Sequence, residues 1–190
     1  MLASALAAAV MGAAIQRLQI FIGPSIVLRA QGPTVRVGII PLVSYAEFEP
    51  RGEGRWSIDD LAAWRRAVVA LSGGVVLALV AMLLLGPLEA AECIGRTYEQ
   101  LVWLLVSSHR ASAALHAFAE IDSPRLIAGT LAAKIAVYNL LPFETLSGGM
   151  LVRLGMPRGR STAFDRVYAG FSSIALLAIG GAVLVAWLWG

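Results

Sequence analysis

Between Ala67 and Leu85 the chain reads AVVALSGGVVLALVAMLLL, 19 residues without a charge. No other feature constrains the fold as strongly. A helix needs roughly 20 apolar residues to cross the hydrocarbon core of a bilayer. This run is bounded by Arg65-Arg66 before it and Gly86-Pro87 after it, so it reads as a membrane span with marked ends. Gly73-Gly74 would let a neighbouring helix approach closely. Composition agrees: 58% of the 190 residues are hydrophobic and 14% charged, against roughly half and a quarter in a soluble domain. Disorder is excluded by the same figures. An internal disulfide is excluded because Cys93 is the only cysteine. The net charge of +3 is read as a property of cytoplasmic loops, not as a nucleic-acid surface.

The other spans are graded in clarity. Val167–Trp189 is apolar and ends on Trp187 and Trp189, aromatics suited to an interface. Leu126–Leu141 is shorter and carries Lys134 and Asn139. Met1–Ile15 is Ala-rich, with no basic residue before Arg17 and no localised cleavage pattern. It reads as a first membrane helix continuing to Gln19, not as a signal peptide. The expected architecture is therefore an α-helical polytopic membrane protein with about four transmembrane helices. As one membrane domain over 1–190 it comprises helix 1–19, a β-hairpin and loop over 20–56, and helix 57–85. There follow a connection with an interfacial helix over 86–124, helix 125–141, an Arg/Gly loop over 142–166, and helix 167–189.

The hairpin rests on two β-branched apolar runs, Ser25–Ala30 and Val35–Val43, separated by Gln31-Gly32-Pro33. Pro41 makes the second run an edge or bends it. Ser57, followed by Ile-Asp-Asp, is a plausible N-cap for the helix that leads into the Ala67 run. Leu101–Val106 is apolar but too short to span, and reads as a helix lying at the interface. Connections one and three hold eleven arginines (17, 29, 36, 51, 55, 65, 66, 153, 158, 160 and 166) and the middle one three (96, 110 and 125). The positive-inside rule places 20–66 and 142–166 in the cytoplasm and both termini on the opposite side.

Three stretches, in order, resemble the site-2 protease family of intramembrane zinc metalloproteases. The first joins Gly23-Pro24 to Ile40-Pro41-Leu42 and Tyr45, with Val43-Ser44 where the family has a glycine pair. The second is the Ala67 helix, with Gly73-Gly74 and Leu77 in place of the family's Gly-Pro and Asn. The third is the most specific: Asn139-Leu-Leu-Pro-Phe-Glu-Thr-Leu-Ser-Gly-Gly, against the family pattern Asn-x-x-Pro-x-Pro-x-Leu-Asp-Gly. Asn139, Pro142, Leu146 and Gly148 match. Glu144 replaces a proline, and Ser147 stands where the metal-binding aspartate is expected. The middle connection has no counterpart. The resemblance implies a membrane core of this family's type in a bacterial cytoplasmic membrane, with a hairpin edge to which an extended peptide can add as a strand. That edge is expected at Val37, Ile39, Ile40, Pro41 and Leu42.

The same resemblance implies lost chemistry. A zinc peptidase of this kind needs two histidines a helical turn apart, a glutamate base and a third ligand. The helix that should carry the first three reads MLASALAAAV, with the second histidine's place near Ser4. The third ligand's place holds Ser147. The two histidines of the chain, His109 and His116, lie in the middle connection. Their seven-residue spacing, even with Cys93 or Glu120, is no known strong metal pattern. Lys134 is an intramembrane charge and so a functional candidate, with a carboxylate of a neighbouring chain or Glu144 as partner. We therefore expect a pseudoprotease with no cofactor, no metal ligands and no catalytic residue. It would act as a binding or scaffold subunit among lipid and other integral membrane subunits. The alternatives are a peptidase with displaced or partner-supplied ligands, and a lipid- or ion-handling protein using Lys134.

Overall fold

The computed structural model describes residues 2–20, 22–28, 34–40, 45–48, 61–143, 146–156 and 162–189. The chain divides into two compact units, Met1–Gly73 and Gly74–Gly190, with the boundary inside a helix.

The first unit opens with α1, Leu2–Val10. Its alanines have the highest helix propensity of any residue, and Ala5 and Ala8 are buried. The expected helix to Gln19 is corrected here, because the chain stops turning at Gly12. Gly12 has φ +93°, its N–H bonds to Ala9 O, and the N–H of Ala13 bonds to Ala8 O at 2.9 Å. This is a Schellman stop, with a glycine in the left-handed conformation. Ala13 then packs with Ala8, Leu61 and Val69 in a small core.

Beyond the stop, the expected hairpin proves to be part of a four-stranded mixed sheet. The strands are β1 (Ile15–Ile20), β2 (Ile22–Leu28), β3 (Thr34–Ile40) and β4 (Tyr45–Phe48). Their spatial order is β2-β3-β1-β4. β2 and β3 pair antiparallel, with Ile26 opposite Val37, as the hairpin reading required. β1 runs parallel to β3, with Ile20 opposite Val37, and antiparallel to β4. Arg17 faces Glu47 across the β1–β4 ladder, and their side chains pair at 3.1 Å. The Gln31–Pro33 turn, Pro41, Leu42 and the Ser57 cap lie outside the described residues.

The boundary helix α2 covers Ala63–Leu85. In the second unit it is followed by α3 (Pro87–Val106), α4 (Ser108–Ala119), α5 (Pro124–Asn139), α6 (Ser147–Leu154) and α7 (Thr162–Trp189). The middle connection is therefore two helices, and Leu101–Val106 is the last turn and a half of a 20-residue helix instead of a separate interfacial piece. Pro87 starts α3 because a missing N–H costs nothing at a first helical position. Ser107 separates α3 from α4, and its side chain accepts from the Arg110 N–H. The Arg/Gly loop over 142–166 likewise contains α6, and α7 begins at Thr162, five residues before the expected start.

Small residues set the packing of this unit. Ala81, Ala90, Ala132 and Ala133 form its buried cluster, with Leu77, Leu85, Cys93 and Ile94 around it. A Cβ on Gly129 would fall 2.6 Å from Leu85 Cγ and 3.1 Å from Leu84 Cβ, so that glycine lets α5 close on α2. Arg125 adds a bond from Nε to the Leu84 carbonyl at 2.6 Å. Close approach through small residues is how helices associate where lipid removes the hydrophobic drive.

Among the described residues, two helices are long and apolar enough to cross a membrane: α2, and α7 over Ala163–Val185. Only 6% of the α7 span is buried, and Phe171, Ile174 and Leu177 point outward from it. Ser172, on the opposite face, is buried. A soluble protein does not leave such a stripe in water. α5 has 16 residues, about 24 Å at ~1.5 Å per residue, short of the ~30 Å hydrocarbon core.

Candidate functional site

The family-like motif forms a tight corner between α5 and α6. Asn139 is the last residue of α5. The Leu140 and Leu141 N–H groups bond back to Val137 and Tyr138 O, closing that helix. Phe143 N–H then bonds to Leu141 O at 2.8 Å and Leu146 N–H to Phe143 O at 2.9 Å, which reverses the chain. Tyr168 of α7 donates its hydroxyl to Pro142 O at 2.8 Å. Leu146 is the extended N-cap of α6, and its carbonyl accepts from Gly149. Phe143 is buried beneath the corner, and Glu144 lies outside the described residues.

Gly148 is the residue this corner cannot change. A Cβ there would lie 2.2 Å from Leu140 O and 2.3 Å from Leu141 O. Both neighbours are backbone atoms that no side-chain rotation can move. The sequence motif thus survives where packing demands it. Ser147, one residue earlier, is half-buried at the first position of α6. Its hydroxyl stands where the family's pattern has a carboxylate, and a neutral hydroxyl is a poor substitute as a zinc ligand.

The other expected metal-binding element, α1, reads LASALAAAV and contains no histidine, cysteine or carboxylate. Ser4 is half-buried in it. His109 and His116 are exposed on α4. Among the described residues, no three His, Cys, Asp or Glu side chains converge as a metal site would require.

The predicted peptide-binding edge needs correction. Val37 is flanked on both sides, by Ile26 of β2 and Ile20 of β1, so β3 is an interior strand over Thr34–Val37. The reason is β1, which the sequence reading had absorbed into the first helix. Ile39 and Ile40 run on beyond the last β1 pair, with β2 alongside. The edges of the sheet are β2 and β4. β2 exposes Ile26, Val27 and Leu28, with Ile26 71% accessible. A bare apolar edge is a template for another strand.

Lys134, by contrast, gains a setting that sequence reasoning did not give it. It stands half-buried on α5, where its ammonium donates to Gln100 Oε1 of α3 and lies 5.9 Å from the Phe118 ring centroid. Together these groups line a cavity of about 320 Å³ between α3, α4 and α5. Cys93, Thr97 and Gln100 reach it from one face of α3, at the i, i+4, i+7 spacing. Thr97 satisfies its hydroxyl on Cys93 O at 2.7 Å. That polar helical stripe was the readable signal, and the apolar Leu101–Val106 run beside it drew the reading away.

Helices with a lipid-facing span, a small mixed sheet and this corner define a membrane-embedded protein of the site-2 protease type. Peptidase family M50 matches residues 2–180, almost the whole chain, and the chain belongs to that family. No curated protein and no solved structure matches it.

Proposed function

We propose that this chain is a non-catalytic member of its family, an integral membrane protein that binds and scaffolds other subunits of a membrane complex. The observation that carries the reading is the corner at Asn139–Gly148. The residues that shape its backbone are kept, and the one that would bind metal is a serine. α1 supports it, burying Ala5 and Ala8 and carrying no histidine, cysteine or carboxylate. A protein under selection for peptide hydrolysis would keep the ligands, because zinc polarises the carbonyl and activates the water.

Binding by strand addition needs no metal, only a free row of backbone N–H and C=O groups and pockets for alternate side chains. β2 offers that row. The segment it would hold is an extended, apolar stretch of a partner subunit. The arginine distribution supports a cytoplasmic position for this sheet, and the membrane is a bacterial cytoplasmic one in this reading.

The test is site-specific photo-crosslinking from Val27 in the full-length protein in its native membrane, with mass spectrometry of the adduct. A reproducible adduct with an integral membrane protein, lost when the crosslinker is moved to Ile174 on α7, supports the reading. Equal or stronger capture from α7, or adducts with lipid alone from Val27, overturns it.

A further inference from the structure

Burying an ammonium is costly unless a counter-charge and hydrogen bonds compensate it. Lys134 has one hydrogen bond, to the neutral Gln100, and the weak attraction of the Phe118 ring face. The ion pairs among the described residues join Arg17 to Glu47 and Arg96 to Glu92, and neither includes Lys134. The ammonium has three donors, so two remain for a ligand. They face a cavity already open beside them.

The walls of that cavity say what kind of anion it takes. The inner polar strip is Cys93, Thr97, Gln100 and Thr130, with Lys134 as its cation. Leu85, Phe118 and Ile121 add apolar wall to the same cavity, with the Phe118 ring beside the ammonium. Glu89 and Glu92, both exposed, also line the cavity; Arg96 offsets Glu92, and the remaining carboxylate disfavours a multiply charged ligand more than a singly charged one. Arg96 is held by Glu92 through an i,i+4 pair and leaves Lys134 as the cation for a ligand. The volume of about 320 Å³ stands at the small end of ligand pockets, ~300–1,000 Å³, too small for a two-chain phospholipid.

We propose that the α3–α4–α5 cavity binds a single-chain monocarboxylate, with Lys134 pairing the carboxylate and Leu85, Phe118 and Ile121 covering the first part of the chain. Gln100 positions the ammonium by accepting one of its protons. The remaining two protons are available to the carboxylate, which gives the half-buried ammonium a hydrogen-bonded counter-charge. This site is separate from the sheet edge of the preceding section, and neither depends on the other.

The experiment is equilibrium dialysis of radiolabelled octanoate against the full-length protein in neutral-detergent micelles, with empty micelles as the blank. Octanol reports the chain without the charge, and acetate the charge without the chain. Octanoate should bind near one per chain, and both controls should bind at least about 10-fold more weakly. Lys134→Met should weaken octanoate by about 10- to 100-fold, the range for a lost hydrogen bond to a charged group, and leave octanol unchanged. Lys134→Arg should retain most of the affinity. Ala114→Phe, which fills the cavity and spares the lysine, should abolish binding, so that the proposal stays testable if Lys134→Met fails to fold. Equal binding of octanol, or of acetate, overturns the proposal. So does an octanoate affinity that Ala114→Phe leaves intact, or no binding to the wild type.

Discussion

α1 and the corner after α5 are the two regions in which the resemblance to this family leads one to expect metal ligands, and in each a glycine shapes the backbone. At the end of α1, Gly12 holds a left-handed turn and Ala8 and Ala13 pack in the first unit's core. At the end of α5, Gly148 lets two carbonyls approach to distances no side chain would allow. In both, the residue that fixes the backbone is present. The expected place of the second histidine falls near Ser4, within an alanine-rich stretch, and that of the aspartate at Ser147. Packing and metal chemistry go together in a zinc peptidase. In the proposed reading the backbone-shaping residues are kept here without the metal donors.

The largest effect is expected at Gly148. Gly148→Ala should destabilise the protein by about 3 kcal/mol or more, the upper end of overpacking penalties, because the clash is with backbone on two sides. Thermal unfolding in detergent should show a larger loss than for Gly12 or Gly129. A change under 1 kcal/mol would mean that the corner relaxes easily and that its glycine is incidental.

Gly12→Ala tests the other region and should cost less, about 1–2 kcal/mol, since it meets no atom but must hold a positive φ. Gly129→Ala sharpens the distinction between hard and soft contacts. Its Cβ meets Leu85 Cγ and Cδ2, which move with that side chain, and Leu84 Cβ at 3.1 Å, which need give by only a few tenths of an ångström, so about 1 kcal/mol is expected. The order Gly148, Gly12, Gly129 is itself the prediction, read from melting temperatures of the three variants.

The smallest stability effect is expected from Ser147→Asp, within about 0.5 kcal/mol, as for an acid placed in the first turn of a helix. It restores the family's carboxylate but not the ligands missing from α1. Elemental analysis of this variant should find no zinc. Stoichiometric zinc in Ser147→Asp would show that the remaining donors are present after all.

Much of the fold was legible in the sequence, for identifiable reasons. α2 and α7 are long, uncharged runs, and length with hydropathy is a local property. The motif at Asn139–Gly148 was legible from its residue types, and Gly148 is the one whose presence the local geometry explains. β1 was not legible. Ile15–Ile20 follows an alanine-rich helix closely, and it is a strand only because β3 and β4, distant in sequence, pair with both of its sides. Missing β1 also turned β3 into an apparent edge and hid the true one at β2. α6 was missed because Gly148 and Gly149 are weak helix formers, and tertiary contacts override that weakness. The Lys134 cavity was half legible. The intramembrane charge drew notice, but its neighbours Cys93, Thr97 and Gln100 come from another helix, and only packing brings them together.

In the proposed reading the family's fold persists here without its zinc chemistry. The most direct test is the metal content of the full-length protein, purified from its native membrane in mild detergent without chelators, alongside cleavage of a membrane-embedded peptide. The account predicts zinc at the level of the buffer blank and no cleavage. Zinc near one atom per chain, with a cleavage activity that Asn139 or Ser147 substitution removes, would contradict it.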